Sequence, residues 1–193
     1  LDQSQKEFQA RLDRYVEYMR DKNTPEDLAK RVVNYLNYRE ASKFSLTDED
    51  ESLLCQLSPG LRMEMHQSYY REHLQKILRT MLATGVDEST SQTPGWKDKF
   101  VEELALRVEP VIAMPHDLIV HRGEPGNDCF FIILQGTVQV YGNSLKRRQT
   151  IDHDSQYPFF GVAEMFADPG TEDALNHRSV RAQGPSPVDL ARI

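Results

Sequence analysis

Cysteine is scarce in this chain, with two in 193 residues. Cys55 and Cys129 are too few and too far apart for a disulfide framework or a zinc site, and both read as reduced, packed thiols. Long apolar runs are absent as well. The longest, Cys129 to Leu134, is far too short to cross a bilayer, and no charged-then-apolar leader marks a secretory signal. Positive charge is not in excess either: 23 Lys and Arg face 30 Asp and Glu, a net −7 shared by both halves. Without a concentrated basic surface, nucleic acid is not expected as a partner. No His-Glu-x-x-His or Cys-x-x-Cys exists to hold a metal, and no nucleophile sits in a catalytic pattern with a base, so no enzyme is expected. Gly123-Glu124-Pro125-Gly126 does not open a helix after a strand, which makes it a turn and not a phosphate-binding loop.

The first part of the chain is helical. Phe8, Leu12, Tyr15, Val16 and Met19 recur at helical spacing from Asp2 to about Arg20. Thr24-Pro25-Glu26-Asp27 then predicts an N-cap, a proline at the first helical position and acidic residues in the first turn. The second helix, to about Arg39, uses Leu28, Val32, Tyr35 and Leu36. Thr47-Asp48-Glu49-Asp50 repeats the cap before a short helix through Leu57, and Ser58-Pro59-Gly60 opens one or two helices reaching Leu82. The first pair is too polar to bury much surface by itself. Composition leaves open whether its apolar stripe packs on the rest of the chain or on another. Residues 83–95 are small, polar and turn-rich, a loop or boundary, before helical periodicity returns from Trp96 to Arg107.

The rest reads as short strands turned by glycine. Val111 to Met114 and Leu118 to His121 flank Pro115-His116-Asp117, Gly123 and Gly126 bracket a turn, and Cys129 to Leu134 is a buried run. Beyond Gln135-Gly136, the segment Thr137 to Tyr141 alternates, with Val138 and Val140 on one face. Lys146-Arg147-Arg148 reads as a solvated hairpin tip. The fold class is α+β, an N-terminal helical region followed by an antiparallel, jelly-roll-like β-roll.

The order P-x-D-x-I, G-x-x-G, then a strand ending in G-x-V-x-V resembles the roll of cyclic-nucleotide-binding domains over residues 96–193. The preceding helices, with Lys6 to Asp13 and Tyr18-Met19, resemble the C-linker of cyclic-nucleotide-gated, hyperpolarisation-activated and ether-à-go-go channels. The resemblance implies a C-linker-like region at 1–82, a flexible loop at 83–95 and a roll at 96–193 that lacks the C-terminal lid helices. A first residue other than Met and a last one inside a strand pattern predict a piece of a longer chain. The implied function is the cytoplasmic gating region of a tetrameric, voltage- or nucleotide-regulated cation channel, potassium-selective by expectation, whose membrane contact lies in the parent chain. Its partners would be the pore domain and identical neighbouring subunits, met through Phe8, Leu12, Tyr15, Met19, Leu28 and Val32. A soluble cAMP or cGMP sensor, such as a kinase regulatory subunit or transcription regulator, is the alternative.

No cofactor is expected, and the implied ligand is cAMP or cGMP. Such a ligand is met by backbone N–H groups at a short helix start, an arginine on the phosphate and a carboxylate on the ribose. The family writes this as Phe-Gly-Glu, a short helix, then Arg-(Thr/Ser)-Ala-x-Val-Arg. Here Phe160-Gly161 matches the opening, but Val162 stands at the glutamate position and Glu164 is two residues late. Ser179-Val180-Arg181-Ala182 matches the end of the motif, which puts Asn176 where the phosphate arginine belongs and His177 where its Thr/Ser partner belongs. Arg178 is the nearest cation. Phe166 to Gly170 also resembles the matching loop of ether-à-go-go domains, which lack nucleotide regulation. The resemblance thus implies a degenerate site of Phe160, Gly161, Glu164, Arg178 and Ser179, with Glu164 and Arg178 the residues that would have to rescue it.

Overall fold

The computed structural model describes residues 3–42, 53–83, 95–126, 129–142, 148–162, 171–172 and 175–193. The chain falls into two compact units, Leu1–Thr47 and Asp48–Ile193.

The first unit is a helix pair, α1 (Gln3–Asp21) and α2 (Glu26–Ala41). α1 ends in a left-handed turn at Asn23, φ 51°, a conformation asparagine tolerates better than most residues. There the Thr24 N–H reaches the Met19 carbonyl at 2.9 Å and the Asn23 N–H reaches Arg20 at 3.0 Å, satisfying carbonyls the helix end leaves open. This closure corrects the expected cap. Thr24 is committed to finishing α1, so Pro25 takes the N-cap position of α2 and no side chain caps that helix. Glu26 and Asp27 do lie in its first turn, where they favour the dipole. The pair buries little: Met19 is 7% exposed, and α2 has no buried residue. An Arg11–Glu40 ion pair at 3.5 Å links the two helices.

The second unit joins helices to the roll. Residues 53–55 are helical and Cys55 is exposed, not packed as expected, because it lies on a helical turn with little covering it. The rest of the short helix expected before Leu57, residues 47–52, lies outside the described residues. α3 (Pro59–Ala83) is one helix. The Ser58 hydroxyl accepts the Leu61 N–H at 3.3 Å, the cap its sequence predicts. Tyr70, Leu74, Ile77 and Leu78, spaced to share a face, are buried, as are Val101 and Ala105 of α4 (Trp96–Ala105) and Val108 just beyond it. The two helices touch where His66 Nδ1 lies 2.8 Å from the Ala105 carbonyl and where Arg71 meets Glu102 at 3.9 Å.

Eight strands follow: β1 (Glu109–Ala113), β2 (Leu118–Val120), β3 (Phe131–Gln135), β4 (Thr137–Tyr141), β5 (Arg148–Asp152), β6 (Phe159–Phe160), β7 (Ser179–Gln183) and β8 (Val188–Arg192). They form two four-stranded sheets, ordered β1-β8-β3-β6 and β2-β7-β4-β5, with every pairing antiparallel. The chain therefore has the expected α+β roll. β4 carries its predicted alternation, with Val138 and Val140 buried. β3 is regular from Phe131, and its ladder with β8 continues one pair further, where Phe130 and Ile193 exchange both backbone bonds at 3.0 Å. The core is filled from both sheets: Ala113, Ile133, Phe160, Val188 and Leu190 from the first, Val138, Val140, Val180 and Ala182 from the second. Among the described residues, no helix is long and apolar enough to cross a membrane.

Candidate ligand cavity of the roll

β1, β2 and the turn after β2 border a half-open cavity of about 500 Å³. Val111, Leu118, Val120, Cys129 and Phe131 supply apolar wall, and Gly161 and Asn176 complete it from the far part of the sequence. The volume lies within the usual range for small-molecule pockets. Val111 and Phe131 are only partly buried despite packing against the core, which leaves them surface to offer a ligand.

The sequence-derived residues divide at this cavity. Phe160 does not line it; in β6 it is buried and stacked on Phe131, ring centroids 5.2 Å apart. Gly161, next in the chain, reaches the cavity with φ 88°. A Cβ there would lie 3.3 Å from the Phe130 Cα, so this close backbone approach needs glycine. Glu164, and the loop at Phe166 to Gly170, lie outside the described residues. Arg178 is exposed on the bend before β7 and is not among the lining residues. Ser179 opens β7, and its Oγ accepts the Arg122 N–H at 3.1 Å, which fastens the turn that borders the cavity.

Asn176 has a more central place than substitution for an arginine would suggest. Its carbonyl accepts the Gly123 N–H at 2.8 Å, its N–H donates to the Glu124 carbonyl at 2.8 Å, and its Nδ2 lies 3.4 Å from the Pro125 carbonyl. With the Pro125–Leu175 bridge beside it, Asn176 clasps the turn at 122–125 to the approach of β7. The sequence carried no signal for this clasp, which depends on two segments 51 residues apart.

Among the described lining residues Asp117 and Glu124 are acidic and Arg192 is the one Lys or Arg. The Arg192 guanidinium lies 3.7 Å from Glu109 and is half exposed, so its charge is already partly answered. One Asp117 oxygen accepts the Met114 N–H at 3.0 Å and so holds the β1–β2 turn. No group of three or more His, Cys, Asp and Glu that could hold a metal occurs among the described residues.

In the helix pair, Phe8, Leu12 and Val32 are half-buried, while Tyr15 and Leu28 are 45% and 46% exposed. Met19 is covered within the chain and lines a cleft with Val16, Ala29 and Val33.

Residues 111–189 match the family described as cyclic nucleotide-binding domain. The chain is 24% identical over 191 residues, 98% of its length, to the cyclic nucleotide-gated channel rod photoreceptor subunit alpha of Gallus gallus, covering 26% of that protein. It is 24% identical, again over 98% of its length, to cyclic nucleotide-gated channel alpha-3 of Homo sapiens, covering 25% of it. It is 26% identical over 141 residues, 73% of the chain, to cyclic nucleotide-gated channel beta-3 of Canis lupus familiaris, covering 16%. The chain thus spans about a quarter or less of each of these relatives.

Proposed function

Taking as premise that residues 111–189 are a cyclic nucleotide-binding domain of the kind found in cyclic nucleotide-gated channels, we propose that the chain is the regulatory region of a cation channel. The observation that carries this reading is the reach of the similarity, which runs through the helices as well as the roll, 191 residues in all. A soluble nucleotide sensor would share the roll without the helices before it. In this reading residues 1–82 are the linker, residues 96–193 the roll, and the whole lies on the cytoplasmic face of a membrane crossed by the parent chain. Four copies surround the pore, which is potassium-selective. Phe8, Leu12, Tyr15, Met19, Leu28 and Val32 mark the helix pair that meets the neighbouring subunit, with Tyr15 and Leu28 the most available of these side chains.

The roll acts as a mechanical coupler whose nucleotide site has degenerated. Gly161 keeps the turn that opens the phosphate-binding segment, but Asn176, at the arginine position, is tied by its backbone to the 122–125 turn and carries no charge to offer a phosphate. Loss of a bidentate arginine–phosphate contact weakens binding by roughly 100-fold. Movement of the roll passes through the helices to the gate, and a ligand biases the gate only through a difference in affinity for its two states. Recording the parent channel in excised patches tests this. Currents unchanged by millimolar cAMP or cGMP, but altered by Leu28→Glu, are the expected result. Nucleotide-activated currents would overturn the degenerate site, and a parent chain without membrane spans would overturn the channel.

A further inference from the structure

Thr150 is the one serine or threonine in the sequence with arginine both two and three residues before it, in Lys146-Arg147-Arg148-Gln149-Thr150-Ile151. Protein kinases that select such substrates read the arginines with carboxylates, through charge-assisted and often bidentate hydrogen bonds, and they take the acceptor in an extended chain. Lys146 and Arg147 lie outside the described residues and enter as sequence alone. Thr150 itself is exposed, and its backbone is extended in β5. Among the described residues β5 stands at one end of the order β2-β7-β4-β5, so presenting its hydroxyl to an enzyme disturbs the ladder with β4 alone. The Thr150 Oγ1 lies 3.5 Å from Gln183 Oε1, a long bond that holds the hydroxyl weakly.

The same face offers a partner for an added phosphate. Val138 and Val140 turn into the core, so Gln139 between them faces away, and its cross-strand neighbours share that face. Those neighbours are Thr150 on β5 and Arg181 on β7. Two strand spacings separate their backbones, about 10 Å. A phosphothreonine and the exposed Arg181 side chain together span that gap. Asp152, two residues beyond Thr150 on the same face, opposes the added charge but accepts a hydrogen bond from the Ser155 hydroxyl at 2.8 Å.

We propose that Thr150 is a phosphorylation site for an arginine-directed protein kinase and that Arg181 receives its phosphate. In the transfer the Thr150 Oγ1 attacks the γ-phosphorus of ATP. The new P–O bond forms as the bond from that phosphorus to the β,γ-bridging oxygen breaks, ADP departs, and the hydroxyl proton passes to the kinase's base. The product ties β5 to β7 across β4, and β7 begins at Ser179, which fastens the 122–125 turn. The proposal does not depend on the state of the nucleotide site.

The folded 193-residue chain is incubated with magnesium ATP and the catalytic subunit of cAMP-dependent protein kinase, an arginine-directed enzyme, and the modified residue is located by tandem mass spectrometry. The expected result is phosphate on Thr150, at a rate reduced roughly tenfold or more in Arg147→Ala, the loss of one charge-assisted contact. Phosphate on Thr150 only after heat denaturation, or on other residues while Thr150 stays unmodified, would overturn the site. The phosphorus resonance of the product is then followed against pH in the parent and in Arg181→Gln. A phosphothreonine ordinarily loses its second proton near about pH 6. Pairing with Arg181 is expected to favour the dianion and bring that midpoint lower in the parent than in the variant, and Asp152 is common to both. Coincident curves would overturn the assignment of Arg181.

Discussion

Gly136 shows how much a single residue contributes to this roll. It turns β3 into β4 at φ 97°, and a Cβ there would sit 3.1 Å from the Val188 Cα and 3.2 Å from the Pro187 carbonyl. Both obstacles are backbone, so neither yields easily. Gly136→Ala therefore combines an unfavourable φ with a steric conflict and is expected to lower stability by about 2 kcal/mol or more, read from urea unfolding. Tyr70 gives a pH signature of another kind. Burial, and secondarily the neighbouring Tyr69, raise its pKa to about 12 from the ordinary 10.0. The fold thus favours the neutral phenol. Its contribution is complete below pH 10, declines as the unfolded chain ionises first, and is lost as pH passes 12. Melting temperature followed from pH 9 to 12 is expected to fall less steeply in Tyr70→Phe than in the parent, and parallel curves would disprove the assignment.

Among the elements, α3 divides into a working face and a solvent face. Leu74 and Ile77 are fully buried, while Leu61, Met65 and Tyr69 of the same helix are about half exposed. Leu74→Ala leaves a cavity as well as losing apolar burial, and is expected to cost about 2–5 kcal/mol in denaturant unfolding. An exposed ion pair is the useful contrast. Lys30 lies 2.6 Å from Glu26 one turn earlier in α2, yet both side chains are largely in water. Lys30→Ala is expected to change stability by less than about 0.5 kcal/mol, because solvent screening leaves such a pair little net effect. A larger loss would mean that α2 depends on that pair and not on its apolar positions.

On the scale of the whole molecule, stability is uneven. The roll carries a core drawn from two sheets, and α3 with α4 carries a second cluster, whereas α1 and α2 together contain one buried apolar side chain among the described residues. Amide hydrogens of α1 and α2 are therefore expected to exchange well before those of β3, β4, β7 and β8, in a time course read by mass spectrometry. Comparable protection in the two regions would show that the helix pair is held by packing beyond its own. In the proposed channel, that packing is supplied by the neighbouring subunit, and exchange in the assembled tetramer should slow at α1 and α2 first.

Periodicity by itself determined the helices, β4 and the alternation of its buried valines, because local side-chain spacing decides which face of an element is apolar. Glycine and proline positions marked the turns for an equally local reason, the backbone angles those residues permit. The family motif went further, indicating the antiparallel β-roll. Other features depended on contacts between distant segments. Phe130 extends the β3 ladder only because Ile193 lies beside it to pair, and Pro25 became the cap of α2 because Thr24 was already closing α1. The clasp of Asn176 on the 122–125 turn, and the cavity beside it, arise where β1, β2 and the approach to β7 converge. Only the tertiary structure decided these, since a cavity belongs to the space between segments and no one segment's sequence encodes its shape.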